Sequence, residues 1–388
     1  MKKLLILPII FLMCGCWNYK ELNNLAMTTG IAIDKVDDKY LITLLISNSK
    51  KQNNNNNNKP EASTAAYEGR GITMYEAISD AAAGISKEVY LEHLTVLVVS
   101  EEIAKNDMLN IIDFLFRYPQ TRNEFQLIIA KDTEASNILK ITPPLENFPS
   151  QNVSENLKNT NKRQGSIYTI NFNEFVKTLL EVGIEPVLPS VYAVGDVESG
   201  NNSENIAKIE PSTYLKLGTM GIFKGGEFIS WSTKEESYGI NILNNKVKNM
   251  YLTTNCDTGH IVLEVSNLKT SIDIENNDTL KVDVKASTSI EEITCKIDLE
   301  NIENIKEIEN NNNELVIDYI SQAIDLAKKN KTDIFGFGKQ IYKKNPKYFK
   351  SVINEWNDEY FPNLNIKYNV EVNITGKGNI NNYIDGES

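Results

Sequence analysis

The α/β character of this chain is clearest in residues 94–116, which read LTVLVVSEEIAKNDMLNIIDFLF. Leu94 to Val99 form an apolar run of strand length that is broken only by Thr95. Ser100 and the two glutamates after it have the form of a helix start, and apolar residues recur behind them at helical spacing. The stretch therefore predicts a buried strand that leads directly into an amphipathic helix.

The same alternation of helices and strands extends on both sides of this stretch. A capping box at residues 73–76 predicts a helix that runs to about residue 86. Residues 125–130 predict a second core strand, and helical spacing predicts further helices at 133–140 and 171–182. This order predicts an α/β layer in which some strands pair in parallel.

Two features lie before this layer. Residues 31–46 have the pattern of a β-hairpin whose turn is Lys35–Lys39. The asparagine-rich loop at 51–60 follows, and its tract Asn53–Asn58 has no apolar residue to bury. We interpret this loop as an insertion without a role in the core.

The C-terminal half has a different pattern. Residues 195–205 are rich in glycine, serine and asparagine, which predicts a linker and a domain boundary near residue 205. A hairpin with a glycine turn is predicted at 214–231. The strand-like runs that follow, together with helical stretches at 315–327 and at about 347–360, predict a mostly antiparallel sheet covered on one face by two helices. The predicted fold class is therefore α/β and α+β, a multidomain ectodomain with mixed sheets covered by helices.

The N-terminus has the pattern of a lipoprotein signal. Lys2 and Lys3 supply the basic end, and Leu4 to Met13 form an apolar run too short to cross a bilayer. A small residue, Gly15, then precedes Cys16, which predicts cleavage after residue 15 and a diacylglyceryl lipid on Cys16. Two acyl chains hold a protein on a membrane where one is marginal. The alternatives are an ordinary cleaved signal peptide and a buried terminal strand.

Composition restricts the class of partner. The 388 residues include 40 Lys and Arg against 52 Asp and Glu, a formal charge of -12. Such a chain is a poor partner for nucleic acid and is repelled by anionic headgroups. Membrane contact is therefore expected through the lipid and through protein partners. No later segment approaches the length of a spanning helix, so the mature chain is predicted to have no transmembrane span.

Few residues offer catalytic or metal-binding chemistry. His93 and His260 each precede a strand, and neither lies near a nucleophile motif. Gly336 to Lys339 only superficially resembles a phosphate loop, and Cys256 with His260 lacks a second pair of zinc ligands. We therefore predict no catalytic residue, no metal and no cofactor other than the covalent lipid. The pattern favours a tethered binding or assembly module over an enzyme.

Cys256 and Cys295 are the cysteines that remain in the mature chain besides Cys16. In an oxidising location they could form a disulfide, because each lies near a strand-like run. A pair of unlinked, partly buried thiols is the alternative. The sequence leaves both open.

Ordered motifs along nearly the whole chain resemble the Ger(x)C family, the lipoprotein C subunits of nutrient germinant receptors in endospore-forming bacteria. The similar segments are Cys16–Leu22, Thr29–Asp34, Glu92–Glu102, Asp113–Arg122, Asp333–Gly338, Pro346–Trp356, Phe361–Pro362 and Thr375–Gly376. Asn18, Ala32 and the asparagine tract depart from the family pattern, and none of them touches the lipid site. Each segment alone is a weak signal, but their order is specific.

The resemblance implies a function and an organisation. It implies assembly with two multispanning membrane subunits, A and B, and a place on the extracytoplasmic face of the spore inner membrane. It also implies three domains after the signal peptide 1–15: an N-terminal α/β domain at 16–204, a small middle domain with a hairpin and a helix at 205–258, and a C-terminal α+β domain at 259–388. The alternative function is a lipid-anchored solute-binding protein.

The family motifs also single out residues that are structural or part of an interface. Besides Cys16 they are Trp17, Glu21, Asp34, Arg117, Gly336, Gly338 and Trp356. Trp17 is expected either at the membrane interface or packed on the body. For Asp34 and Arg117 we prefer internal ion pairs to a partner surface, because buried charges are nearly always paired. Trp356 is expected in the core.

Overall fold

Two β-sheets organise the chain. A computed structural model describes residues 21–48, 62–118, 121–202 and 204–376, and the signal peptide, Cys16, Trp17 and the asparagine-rich loop lie outside this range. The strands of the first sheet are β1 Leu25–Val36, β2 Lys39–Ser47, β3 Thr64–Gly71, β4 Glu88–Tyr90, β5 Val96–Ser100, β6 Gln126–Ala130, β7 Val187–Gly195, β8 Thr213–Lys224 and β9 Glu227–Trp231. Those of the second are β10 Met250–Cys256, β11 Gly259–Ile274, β12 Thr279–Ile293 and β13 Asn365–Gly376.

The first sheet is mixed, as the alternation predicted. Its order is β3-β2-β1-β5-β6-β7-β8-β9, with β4 beside β1. The central strands β1, β5, β6 and β7 are parallel, and the pairs β2–β3 and β8–β9 flank them antiparallel. Strand β5 is buried along its whole length, which is typical of a parallel strand covered on both faces.

The helices cover these sheets. They are α1 Met74–Ala83, α2 Glu101–Asn106, α3 Met108–Arg117, α4 Ala135–Lys140, α5 Pro149–Arg163, α6 Phe172–Leu180, α7 Val197–Gly200, α8 Glu204–Ala207, α9 Lys234–Leu243, α10 Ile302–Lys329, α11 Phe337–Lys344 and α12 Pro346–Val352. Short 3-10 helices form at Leu22–Asn24 and Ile353–Glu355, and a π-helical turn forms at Trp356–Tyr360. Among the described residues, no helix combines the length and hydrophobicity that crossing a bilayer requires.

The predicted helix after Ser100 is present but is divided in two. Ser100 caps α2 by accepting a hydrogen bond from the Ile103 N–H at 3.3 Å. The division comes at Asp107, whose carboxylate pairs with Lys35 and accepts a hydrogen bond from the Tyr40 hydroxyl at 3.0 Å. These contacts tie the junction of α2 and α3 to the β1–β2 hairpin. That hairpin has the predicted turn, in which Asp37 and Asp38 adopt positive φ.

Helix α5 was not predicted, because its sequence is polar. Pro149 occupies its first turn, and its buried face consists of Ser150, Val153, Ser154 and Leu157. The spacing i, i+3, i+4, i+7 is that of an amphipathic helix, but two of the four positions are serine. A hydrophobicity pattern therefore does not reveal this helix.

The first sheet continues across residue 205, where we predicted a domain boundary. Strand β8 pairs antiparallel with β7, so the hairpin β8–β9 extends the N-terminal sheet. Asn205 fixes the predicted linker to the body of the protein. Its side chain is fully buried and forms hydrogen bonds with the backbone of Thr142 and Thr213. The predicted boundary thus falls inside a sheet. The division into three domains stays a prediction.

The second sheet is mostly antiparallel, as predicted, and only β12 and β13 pair in parallel. Helix α10 lies on it and is 28 residues long, far longer than the predicted 315–327. Its asparagine-rich first half covers the sheet: Asn313 Oδ1 accepts the Val372 N–H at 2.7 Å, and Glu309 accepts the Ile374 N–H at 2.8 Å. These polar side chains satisfy backbone N–H groups of the edge strand β13, while Ile308 and Val316 of the same helix are buried.

Candidate functional site

A buried carboxylate lies at the centre of a cluster of family-motif residues. Asp333 is fully buried, and its Oδ2 accepts hydrogen bonds from the Gly338 N–H at 2.7 Å and the Trp356 indole N–H at 3.0 Å. Its Oδ1 accepts the N–H groups of Phe337 at 3.1 Å and Phe335 at 3.3 Å. One side chain thereby fixes the turn that begins α11 and the aromatic side chain that covers it.

Three predicted site residues meet around this carboxylate. Gly336 has a φ of +72°, which a residue with a side chain rarely adopts. Gly338 lies against the Trp356 indole, and a Cβ at this position would stand 2.6 Å from Nε1. Trp356 itself is buried between Phe349 and Phe361. Gly336, Gly338 and Trp356 are therefore structural residues of one packed unit.

This unit contacts the segment that leads into β7. The Lys339 N–H donates to the Gly183 carbonyl at 3.0 Å, and the Glu185 N–H donates to the Asp333 carbonyl at 2.8 Å. Gly183 has a φ of +74°, and a Cβ there would stand 2.6 Å from the Gly338 carbonyl carbon. We call residues 181–187 together with 332–339 and Trp356 the Asp333 joint.

Further bonds extend the joint to the β8–β9 hairpin. Thr332 Oγ1 donates to the Phe223 carbonyl at 2.8 Å, and Lys224 pairs with Asp358 at 2.9 Å. Glu185 accepts bonds from the Gly225 N–H and the Asn357 amide, both at 2.9 Å. Hydrogen bonds and an ion pair in the joint therefore hold the C-terminal part of the chain against the first sheet.

Asp34 plays a similar part in the first sheet, and the predicted ion pair is wrong. The side chain is buried at the end of β1, and its two oxygens accept the N–H groups of Ala135 at 2.7 Å and Ser136 at 2.9 Å. These are free donors of the first turn of α4, whose own N-cap residue, Glu134, makes no capping bond. Backbone donors rather than a cation thus satisfy this carboxylate.

Arg117 also departs from the internal ion pair that we preferred. It lies at the exposed end of α3 and pairs with Asp113 one turn earlier, with Nε 2.8 Å from the carboxylate. Both side chains are largely exposed. Such a surface pair contributes little to stability. Glu21 is exposed at the start of the described chain, where its carboxylate lies 3.4 Å from the Asn24 amide.

The two buried aspartates predict a pH dependence of stability. Burial raises the pKa of both Asp34 and Asp333 to about 6, although the backbone N–H groups oppose this shift. The folded chain therefore binds these protons more tightly than the unfolded chain, whose aspartates titrate near 4. Their contribution is present below pH 4 and is lost as the pH rises through 6, by at most about 3 kcal/mol for each carboxyl.

This dependence is measurable by urea denaturation from pH 4 to pH 7. Because other carboxylates titrate in the same range, the informative quantity is the difference between the parent and the Asp34→Asn variant. We expect the free energy of unfolding of the parent, relative to the variant, to fall as the pH rises. A difference that is constant across this range would contradict the raised pKa of Asp34.

The residues considered for catalysis and metal binding lie in different parts of the structure. His93 lies between β4 and β5, whereas His260 lies on β11 of the second sheet, where its Nδ1 is 3.0 Å from the Asn255 amide oxygen. Cys256 and Cys295 form a disulfide, which removes Cys256 as a zinc ligand. Within the described ranges, no group of three or more His, Cys, Asp or Glu side chains is placed to hold a metal ion.

A cleft of about 750 Å³ opens beside the first residues of the described chain. We call it the anchor-side cleft. Leu25 and Met27 of β1 and Phe148 contribute apolar surface, and His93 stands on its wall. Its other lining residues are Asn23, Thr29, Ser47, Asn48, Ser63, Thr95, Asn147, Ser150, Gln151, Ser154, Glu155 and Lys158. The cleft combines an apolar surface with many hydroxyl and amide groups.

Comparison with known proteins matches nearly the whole chain to spore germination proteins. The family model of the spore germination protein N-terminal domain matches residues 18–192, and that of the spore germination B3/GerAC-like C-terminal domain matches residues 218–378. Spore germination protein KC of Bacillus subtilis (strain 168) is 30% identical over 98% of this chain and 96% of that protein. Spore germination protein B3 of the same organism is 24% identical over 95% of each chain.

The fold is that of a solved relative. The crystal structure of the GerBC protein matches with a TM-score of 0.53 at 17% identity, and the match covers 92% of this chain and 100% of that chain. At this identity the likeness concerns the fold alone. The mixed sheets covered by helices are therefore those of a known architecture.

Proposed function

This chain belongs to the Ger(x)C family of spore germination proteins, and we propose that it is the lipid-anchored C subunit of a germinant receptor. It acts in the germination response to nutrients by assembling with the A and B membrane subunits on the extracytoplasmic face of the spore inner membrane. The observation that carries the proposal is the full-length match to spore germination proteins. The basic and apolar N-terminus ending in Gly15-Cys16 supports the anchor.

We propose assembly rather than catalysis as the mode of action. The motif residues Gly336, Gly338 and Trp356 meet in the Asp333 joint, which positions one part of the chain on another. A joint built on a buried carboxylate and close glycine contacts fixes the parts of the chain that it connects, which suits a subunit that presents a fixed surface to its partners. His93 lies in the turn between β4 and β5, whereas His260 lies on β11 of the second sheet, and among the described residues no shared partner would make either a general base.

The anchor has a direct test. We expect Cys16→Ala to abolish incorporation of a labelled fatty acid and, in spores that lack the A and B subunits, to release the protein from the membrane fraction, because two acyl chains are lost. Cys14→Ala is the matched control and should keep both the label and the membrane location. Labelled, membrane-bound Cys16→Ala protein would contradict the assignment of the lipid to this residue.

Assembly is tested by purifying the tagged protein from detergent-solubilised spore inner membrane and identifying what co-purifies. Two multispanning subunits are expected. Recovery of a transporter, or of no membrane protein, would favour the alternative of a lipid-anchored solute-binding protein. The anchor-side cleft is the observation behind that alternative, because its volume lies in the range of small-molecule sites.

A further inference from the structure

Four large apolar side chains are exposed on two neighbouring segments. The segments are residues 142–147, between α4 and α5, and residues 204–216, which contain α8 and the start of β8. We call them the apolar loops. Their exposed apolar side chains are Leu145, Ile206, Ile209 and Tyr214. Leu145 is 93% exposed and Ile209 is fully exposed, so neither side chain is used in the core. Exposed apolar groups that lie together mark sites of protein or membrane contact.

Hydrogen bonds hold the apolar loops together and fix their shape. The buried Asn205 side chain donates from Nδ2 to the Thr142 carbonyl at 2.9 Å, which joins the second segment to the first. Lys208 Nζ donates to Ser212 Oγ at 3.1 Å and closes the turn of the second segment. Two prolines immediately precede Leu145 and restrict the backbone there. The exposure of the apolar side chains is therefore a built feature of this surface.

The apolar loops lie beside the start of the described chain. Asn147 lines the anchor-side cleft together with Asn23 and Leu25. Leu145 stands two residues before Asn147 in the sequence. The described chain starts at Glu21, so its beginning and the first apolar loop belong to the same end of the body.

Chain length keeps this end of the body close to the membrane, and this step rests on the proposed lipidation of Cys16. Cys16 precedes Glu21 by five residues, and five residues span at most about 18 Å. This limit holds for every conformation of the intervening residues. The bilayer surface is therefore within reach of the apolar loops.

The charges of the apolar loops favour a lipid surface over a second copy of the chain. The whole chain has a formal charge of -12, so two copies repel each other. The apolar loops contain three glutamates and two lysines and are nearly neutral. Lys216 lies over the Tyr214 ring, with Nζ 5.6 Å from the ring centre. A lysine beside exposed apolar groups can extend its ammonium to lipid phosphates while its methylene groups stay on the apolar surface.

We infer that the apolar loops insert into the surface of the bilayer and that the partner of this surface is lipid. Leu145 and Ile209 reach the boundary between headgroups and acyl chains, and Tyr214 lies at the headgroup level, where its amphipathic ring is favoured. Contact by so few side chains is weak on its own, but a short tether gives the loops a high effective concentration at the membrane. The contact therefore sets the orientation of a body that the lipid already holds.

Tryptophan fluorescence on vesicles tests the insertion. The mature chain carrying Cys16→Ala and an N-terminal polyhistidine tag is held on phosphatidylcholine vesicles that contain a nickel-chelating lipid, and flotation confirms the tethering. Leu145→Trp and Ile209→Trp each add a reporter, whose emission is isolated by subtracting the spectrum of the parent. We expect a blue shift on vesicles and the loss of about half of the reporter emission when the acyl chains are brominated, because interfacial groups lie about 5–10 Å deep.

Leu180→Trp is the matched control. Leu180 is 77% exposed at the end of α6, next to the Asp333 joint rather than the apolar loops. Its reporter should keep red-shifted emission on vesicles and should not be quenched by brominated chains. Adding Ile209→Asp to Leu145→Trp should reduce the quenching of the Leu145→Trp reporter, because a carboxylate opposes insertion of the neighbouring loop.

Two results would overturn the proposal. The first is that tethered Leu145→Trp and Ile209→Trp behave like Leu180→Trp on brominated vesicles. The second is that their emission shifts to the blue only when the A and B subunits are present and is not quenched by brominated chains, which would assign the surface to a protein partner. Because the tag replaces the acyl chains, the measurement does not depend on lipidation. Failure of the insertion and failure of the proposed anchor on Cys16 are therefore distinguishable.

Discussion

Replacing Asp333 with alanine is expected to lower the free energy of unfolding by about 3–5 kcal/mol. The substitution leaves four buried N–H donors without their acceptor, those of Phe335, Phe337, Gly338 and the Trp356 indole. The turn that packs against Gly183 thereby loses the side-chain bonds that fix its shape, although its backbone bonds to residues 183 and 185 remain. Urea denaturation measures the loss, because the free energy falls linearly with denaturant. Asp325→Ala, at an exposed position on α10, is the matched control and should stay within about 0.5 kcal/mol.

The Asp333→Asn variant sharpens this test. Asparagine keeps one acceptor oxygen but turns an amide N–H₂ toward donors, so we expect a smaller loss than for alanine. Amide hydrogen exchange at Phe337 and Gly338 should accelerate in both variants, since these N–H groups bond the carboxylate directly. If Asp333→Ala matched the parent in stability and exchange, the carboxylate would have no part in closing the joint.

The sequence predicts well the elements that depend on residues close to one another in the chain. The strand at 94–99, the helix start at Ser100 and the hairpin turn at 35–39 are confirmed, because each depends on residues next to one another. Helix α5 and the first half of α10 were missed for the opposite reason. Their buried faces include Ser150, Ser154 and Asn312, which a hydrophobicity pattern counts as exposed.

In the candidate site, too, the sequence does not reveal contacts between residues that are far apart in the chain. Gly336, Gly338 and Trp356 can be singled out from family motifs, but the motif that begins at Asp333 predicts no role for that residue. Its spacing of two, four and five residues to the N–H groups that it accepts is a local signal that could have indicated the turn. Contact with Gly183, about 150 residues earlier in the sequence, leaves no such signal.

The ion-pair prediction for Asp34 was wrong because it relied on a general rule, that buried charges are paired with opposite charges. Buried charges are paired more often than not, but the first turn of a helix offers unbonded N–H groups and a favourable dipole that serve a carboxylate equally well. Asp34 and Asp333 both use this solution, at the start of α4 and of α11. In the described part of the chain, two buried carboxylates are therefore held by helix starts, one beside the first sheet and one in the Asp333 joint.

Removing the disulfide with Cys256→Ala and Cys295→Ala together is expected to cost about 4 kcal/mol, because the bridge closes a loop of 39 residues in the unfolded chain. The bond joins the end of β10 to the segment after β12, and Cys295 is buried, so alanine also removes a sulfur atom from the core and adds a small packing loss. The parent in reducing buffer should match the double variant in urea to within this packing loss, and the parent in oxidising buffer should exceed both. Thiol titration of the unfolded, unreduced mature chain carrying Cys16→Ala should find no free thiol. Two titratable thiols in protein purified from spores, with no effect of reductant on stability, would instead support the unlinked pair that the sequence left open.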